Sequence, residues 1–196
     1  MEPLRIGVLA VQGNFREHAA MLRRLGAEAV EIRKPEQLED LDGLVIPGGE
    51  STTFMHLMRL YGLDDAVRAF DGPVFGTCAG LILLAREVER PSQFSLGFID
   101  VAVERNAYGR QKESFETTGT ANLGDGPMTL KMVFIRAPRF LRVGRAVTEL
   151  AWHHDECVMA RQGSVMVAAF HPELTDDARL HRRFLDLVQE ASVVRA

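Results

Sequence analysis

The chain is poor in what secreted scaffolds, membrane proteins and nucleic-acid binders need. Its two cysteines, Cys78 and Cys157, allow at most one disulfide among 196 residues, and a chain of that length holds a core without one. Both are read as free thiols of a reducing compartment. No apolar run approaches the roughly 20 residues that span a bilayer. Met1-Glu2-Pro3-Leu4-Arg5 leads into a strand without the apolar segment of a secretory signal, so no membrane association and a cytoplasmic location are expected. Basic residues are in deficit: 23 Lys and Arg against 27 Asp and Glu give a formal charge of -4, with no long basic run. That removes the electrostatic ground for nucleic acid or an anionic membrane as partner and leaves small molecules or proteins. Repeats, low-complexity tracts and linkers are missing too, and one domain over residues 1–196 is expected.

What is present is a rhythm. Residues 4–13 read as a buried strand, 14–26 as a helix closed by Gly26, 29–33 and 43–49 as strands, 51–62 as a helix with a Ser/Thr start, and 73–78 as a fourth strand. Strands alternating with helices predict an α/β fold with a mainly parallel central sheet, its functional groups at the strands' C-terminal ends. From about residue 97 the pattern changes to strands separated by Gly, Asn and Pro turns, among them FIDVAVERN, FETTGTANL and SVMVAAFHPE. These are expected to add antiparallel and edge strands to the same sheet. Residues 176–192 carry Leu180, Phe184, Leu187 and Val188 at helical spacing and close the domain.

The chemistry concentrates where glycine meets cysteine. VFGTCAGLILLA (74–85) places Cys78 between Gly76 and Gly80, at the joint between two apolar runs. In a strand-turn-helix elbow the nucleophile takes a strained backbone position, and residues two before and two after it lie too close for side chains. A thiol at a helix start also gains thiolate character. The plain alternative is a small buried hydrophobe in a tight connection. A thiol nucleophile needs a base and a group to orient it, and six histidines are available. His18, His56 and His181 sit at helix positions more simply read as amphipathic or exposed; His153 and His154 read as part of a solvated turn. His171 differs, because it ends a strongly apolar strand in His-Pro-Glu. Pro172 stiffens that turn, and Glu173 is placed to orient the imidazole. Cys78, His171 and Glu173 thus form the candidate triad.

Three segments, GTCAG, PGGES and HPE, resemble those of the class I, triad-type glutamine amidotransferases. Within that superfamily, VxxxQGNxxEH (8–18), PGGESTT (47–53), VERNxxGRQ (103–111), FIRAP (134–138) and FHPELTDD (170–177) resemble the glutaminase subunit of two-component pyridoxal 5'-phosphate synthases over nearly the whole chain. The resemblance implies a three-layer, flavodoxin-like domain. It implies hydrolysis of L-glutamine to L-glutamate and ammonia through a glutamyl thioester, and delivery of the ammonia to a synthase subunit that makes pyridoxal 5'-phosphate. That compound would be the pathway's product; no cofactor or metal is expected. The resemblance also assigns the oxyanion hole to the backbone amides of Gly49 and Ala79, and substrate binding to Gly48, Gly49, Glu50, Arg105, Ile135 and Arg136. Gln12 is a candidate for coupling the site to the partner, and Cys157 is read as structural. The residues alone leave two rivals open: a related elbow-cysteine hydrolase or peptidase, and a non-catalytic subunit whose Cys78 merely packs.

Overall fold

The computed structural model describes residues 2–105, 107 and 114–195; Asn106 and the whole GRQ end of the VERN motif lie outside them. The first half alternates as expected: β1 (Arg5–Leu9), α1 (Phe15–Arg24), β2 (Glu28–Ile32), β3 (Gly43–Ile46), α2 (Ser51–Leu60), α3 (Leu63–Ala69), β4 (Val74–Thr77) and α4 (Ala79–Leu84). The second half runs β5 (Ala85–Glu89), β6 (Ile99–Glu104), β7 (Ser114–Asn122), β8 (Pro127–Ile135), β9 (Arg139–Val143), β10 (Thr148–His153), β11 (Glu156–Gln162), β12 (Val165–Ala168) and α5 (Arg179–Arg195).

Among the described residues, nine strands form one mixed sheet in the order β2-β1-β3-β4-β12-β11-β10-β7-β8. The pairings from β2 through β12 are parallel and those beyond β12 antiparallel. The parallel half carries the site, because β1, β3, β4 and β12 are neighbours and all end on the same side of the sheet. Period-two alternation sorts the helices. A Cβ on Gly43 would press on Val188 and Phe184 of α5, and Phe75 meets both Phe184 and His18 of α1. The intervening face, at Gly76, meets Leu84 of α4, against which α2 also packs. The sheet is therefore sandwiched, with α1 and α5 on one side and α2 and α4 on the other.

One expectation is corrected. The segment around FIDVAVERN does not join the main sheet; β6 pairs with β5 and β9 in a separate three-stranded sheet. Two facts explain this. The place beside β4 is taken by β12, registered Val165↔Val74. The amides of Leu96 and Phe98 bond the carbonyls of Leu83 and Leu84 at 2.7 and 2.8 Å, which lays the following strand beside β5. No helix among the described residues is long and apolar enough to cross a membrane.

Candidate active site

Cys78 stands at the β4–α4 joint with φ 49° and ψ −100°, a conformation that costs a non-glycine residue on the order of 1–3 kcal/mol and persists only when its surroundings impose it. Its N–H donates to the carbonyl of Ala168 in β12 at 2.8 Å, and its own carbonyl accepts from Ile82 at 3.2 Å. The glycine requirement is real at both flanks. A Cβ on Gly76 would lie 2.7 Å from the carbonyl carbon of Gly80, and one on Gly80 would run into the carbonyl oxygen of Ile46. The thiol is nearly buried and points at the carbonyl oxygen of Ile135, 3.7 Å away. α4 has only six residues, so its dipole at the elbow is weak, and an imidazole stands opposite the thiol.

That imidazole belongs to His171, just beyond β12, whose N–H is anchored to the carbonyl of Val133 at 2.8 Å. His171 Nδ1 lies 2.7 Å from Glu173 Oε1, both side chains buried. The carboxylate accepts, so Nδ1 carries the proton and the other ring nitrogen is left for the thiol side. Burial pulls the imidazolium down, but hydrogen bonds to Cys78 and Glu173, with their charges, outweigh it and raise the His171 pKa to about 10. Glu173 is likewise penalised by burial, yet His18 and His171 hold it well below the usual carboxylate range. Gly48 allows the approach, because a Cβ there would strike the His171 ring and come within 3.3 Å of Cys78 Cβ.

A cleft of about 410 Å³ opens over this pair, lined by Asn14, Gly49, Glu50, Ser51, Cys78, Ile82, Arg105, Ile135, Arg136 and His171. Of the substrate-binding residues expected from the sequence, Gly49, Glu50, Arg105, Ile135 and Arg136 all reach it. Gly48 lies behind the Cys78–His171 pair, and Ala79, the first residue of α4, is fully buried beneath the elbow. Glu50 caps α2, accepting from the amides of Thr52 and Thr53 at 3.1 and 2.7 Å. Burial opposes its ionisation, but those amides and the two threonine hydroxyls lower its pKa to about 2. Arg105 Nη2 donates to Glu50 Oε1 at 3.2 Å. The cleft thus offers an anion, Glu50, beside a cation, Arg105, with exposed Arg136 on the rim. Gln12 Oε1 accepts from the amide of Glu50 at 3.2 Å, and the Gly48 carbonyl accepts from that of Asn14 at 3.2 Å, tying the glycine loop to the exit of β1. A larger hollow of about 490 Å³ lies between Pro3–Leu4 and α5, but no cysteine or histidine lines it. Among the described residues, no group of three or more His, Cys, Asp and Glu side chains is arranged to hold a metal.

Sequence reasoning missed four polar groups. His18 and His181, read as amphipathic or exposed, are fully buried: His18 Nδ1 lies 2.9 Å from His181 Nε2, and His18 Nε2 lies 3.0 Å from Thr77 Oγ1. His56 is exposed, as expected. Asn14 Nδ2 donates to Glu173 Oε1 at 3.2 Å. A signal for Asn14 existed in its place before α1: it is the N-cap residue, yet its side chain makes no capping bond, being engaged in the site instead.

The family model of the SNO glutamine amidotransferases matches residues 8–190. A pyridoxal 5'-phosphate synthase subunit PdxT from Brevibacillus brevis is 52% identical over 190 residues, 95% of this chain and 98% of that protein. Another from Pelotomaculum thermopropionicum is 54% identical over 187 residues, 93% of this chain and 94% of its own. A crystal structure of a glutamine amidotransferase, 52% identical, superposes with a TM-score of 0.87 over 94% of this chain and 98% of that one. With the family's match spanning the strand ends, the elbow and the His-Pro-Glu turn, the chain belongs to the SNO glutamine amidotransferase family.

Proposed function

We propose that this chain, acting as one domain in the cytoplasm, hydrolyses L-glutamine to L-glutamate and ammonia and delivers the ammonia to a synthase subunit that makes pyridoxal 5'-phosphate. The observation that carries the chemistry is the Glu173–His171 contact of 2.7 Å set opposite an elbow cysteine. Cys78 attacks the amide carbon as the thiolate, and His171 passes a proton to the departing ammonia, leaving a glutamyl thioester. Water activated by the same imidazole then attacks the thioester, releases glutamate and returns the thiol. Glu173 holds the ring and offsets its charge, while the amides of Gly49 and Ala79 stabilise the oxyanion. Arg105 and Arg136 take the substrate α-carboxylate and Glu50 its α-ammonium, at the end of a cleft whose volume suits one amino acid rather than a polymer. The relatives named as subunits of pyridoxal 5'-phosphate synthase support the destination of the ammonia.

Cys78→Ala is the test, since it removes one sulfur from a turn and leaves the core intact. Reconstituted with a synthase subunit, the variant should lose at least about a thousandfold in glutamine turnover, as expected on removing a covalent nucleophile. Turnover within about tenfold of wild type would discard Cys78 as nucleophile.

A further inference from the structure

Glu173 has two carboxylate oxygens, and His171 and Asn14 both use Oε1, at 2.7 and 3.2 Å. Oε2 is buried and has no well-aligned hydrogen bond among the described residues. What it does face is His18 Nε2, 3.2 Å away and off the ideal axis, with both side chains inaccessible to solvent. Behind His18 stand Thr77, at the end of β4, and His181, on α5, each fully buried. Four segments of the chain thus bring polar groups to one point inside an apolar layer otherwise built from residues such as Phe75 and Phe184. Such convergence is expensive unless the groups satisfy one another.

We propose that the catalytic row continues past Glu173, and that His18 is a positioning residue whose Nε2–H holds the second oxygen of Glu173 from the far side. The proposal rests on the roles given above to Cys78, His171 and Glu173.

The placing of the protons follows from what each ring nitrogen faces. Burial pushes the His181 pKa down to about 3, so His181 is neutral and has one ring proton. Its Nδ1 is buried and has no partner among the described residues. An orphaned buried N–H is rarer than an orphaned lone pair, which puts the proton on Nε2, donated to His18 Nδ1 across 2.9 Å. His18 Nδ1 is then an acceptor, and the His18 proton sits on Nε2, where Thr77 Oγ1 and Glu173 Oε2 share it at 3.0 and 3.2 Å. The donors run in one direction, from His181 to His18 to Glu173, and His171 donates to the same carboxylate from the other side. In the opposite tautomer a bare ring nitrogen would face a carboxylate oxygen with no proton between them. The consequence for the reaction is orientation. With both oxygens held, the carboxylate plane cannot rotate, Oε1 stays on His171 Nδ1–H, and the remaining ring nitrogen stays aimed at Cys78.

The test uses the chain in complex with a synthase subunit. His18→Phe keeps the ring's bulk and removes the donor; His18→Gln sets an amide N–H close to where Nε2–H was. His18 does not line the substrate cleft, so His18→Phe should lower kcat by about tenfold to a hundredfold with the KM for glutamine unchanged, and His18→Gln should recover most of that loss. Wild-type kcat in His18→Phe overturns the proposal, as does an equal loss in both variants, which would mean packing alone. His171→Asn, assayed alongside, separates the two levels. If it turns over like wild type, the triad reading fails and this proposal fails with it; if it is inactive while His18→Phe is fully active, only this proposal fails. Should the His18 variants not fold, the wild-type chain decides: long-range ¹H–¹⁵N spectra with labelled histidine must place a proton on His18 Nε2, and a bare Nε2 overturns the proposal.

Discussion

His171 is the residue through which the site's electrostatics reach the stability of the whole chain. Its folded pKa of about 10 stands above the ordinary 6.5, so folding favours the protonated ring. The sign follows from linkage: the stabilisation is complete below about 6.5, where the unfolded chain also binds this proton, and drains away as pH rises toward 10. Cys157, pushed up to about 12 by burial first and Glu149 second, adds loss of the same sign above its ordinary 9.0. The useful quantity is therefore the difference between wild type and His171→Asn, in which Cys157 cancels. Denaturant midpoints at pH 6.5 and 9.5 should show wild type falling by more than the variant; parallel falls would mean that the imidazolium is not held by its neighbours. The same residue shows what a sequence reveals about histidines. His171 was legible because it ends an apolar strand. His18 was legible in principle, since it shares the buried face of α1 with Met21 and Leu22, three and four residues on. His181 stands in the same relation to Phe184 and Leu185 on α5. A histidine on an apolar face reads the same whether it packs or bonds, and the partner that decides lies 163 residues away in sequence.

At the scale of elements, the glycines around the elbow state a close approach that can be measured. Replacing Gly80 by alanine in a helix ordinarily gains about 0.5–1 kcal/mol. Here the new Cβ meets the Ile46 carbonyl of β3, and the overpacking penalty of about 1–3 kcal/mol exceeds that gain. Gly80→Ala should therefore lower the denaturant midpoint at an unchanged m-value; a variant as stable as wild type would mean that β3 and α4 do not meet this closely. The spacing of Gly76 and Gly80 made this joint readable, as did the strand-helix alternation around it, because those signals are local. The place of β6 was not readable. Its alternation marks a strand, but which edge receives it depends on β12 taking the position beside β4, a contest between segments far apart in the chain. Arg105 and Arg136 present the same limit: any arginine can be a solvated one, and only the family's motifs singled these two out before the cleft placed them.

At the scale of the molecule, the Gly48–Gly49 loop, proposed above to supply an oxyanion donor, is tied to the surface. The Gly48 carbonyl rests on the Asn14 amide at 3.2 Å, and Gln12 Oε1 accepts from the Glu50 amide at 3.2 Å, so the Gly48–Gly49 peptide leans on a loop of which Gly13 is exposed. Turning that peptide over breaks one backbone hydrogen bond, a net cost of about 1 kcal/mol, with no Cβ at either glycine to oppose it. Both orientations are then within reach in the free chain, whereas loss of one oxyanion donor costs on the order of 10²–10³ in rate. A synthase subunit that contacts the 12–14 loop and binds the competent orientation more tightly would shift the balance toward it, and ammonia would be made chiefly where an acceptor waits. The expected outcome is that steady-state ammonia production by the isolated chain rises by about tenfold or more when a synthase subunit is added to saturation. Gln12→Ala should blunt that rise while leaving the isolated chain's slow rate in place, since Gln12 touches the loop and not the reacting atoms. Equal turnover with and without the synthase subunit would mean that the oxyanion hole stands assembled in the free chain, and the coupling through Gln12 and Asn14 would then have no catalytic role.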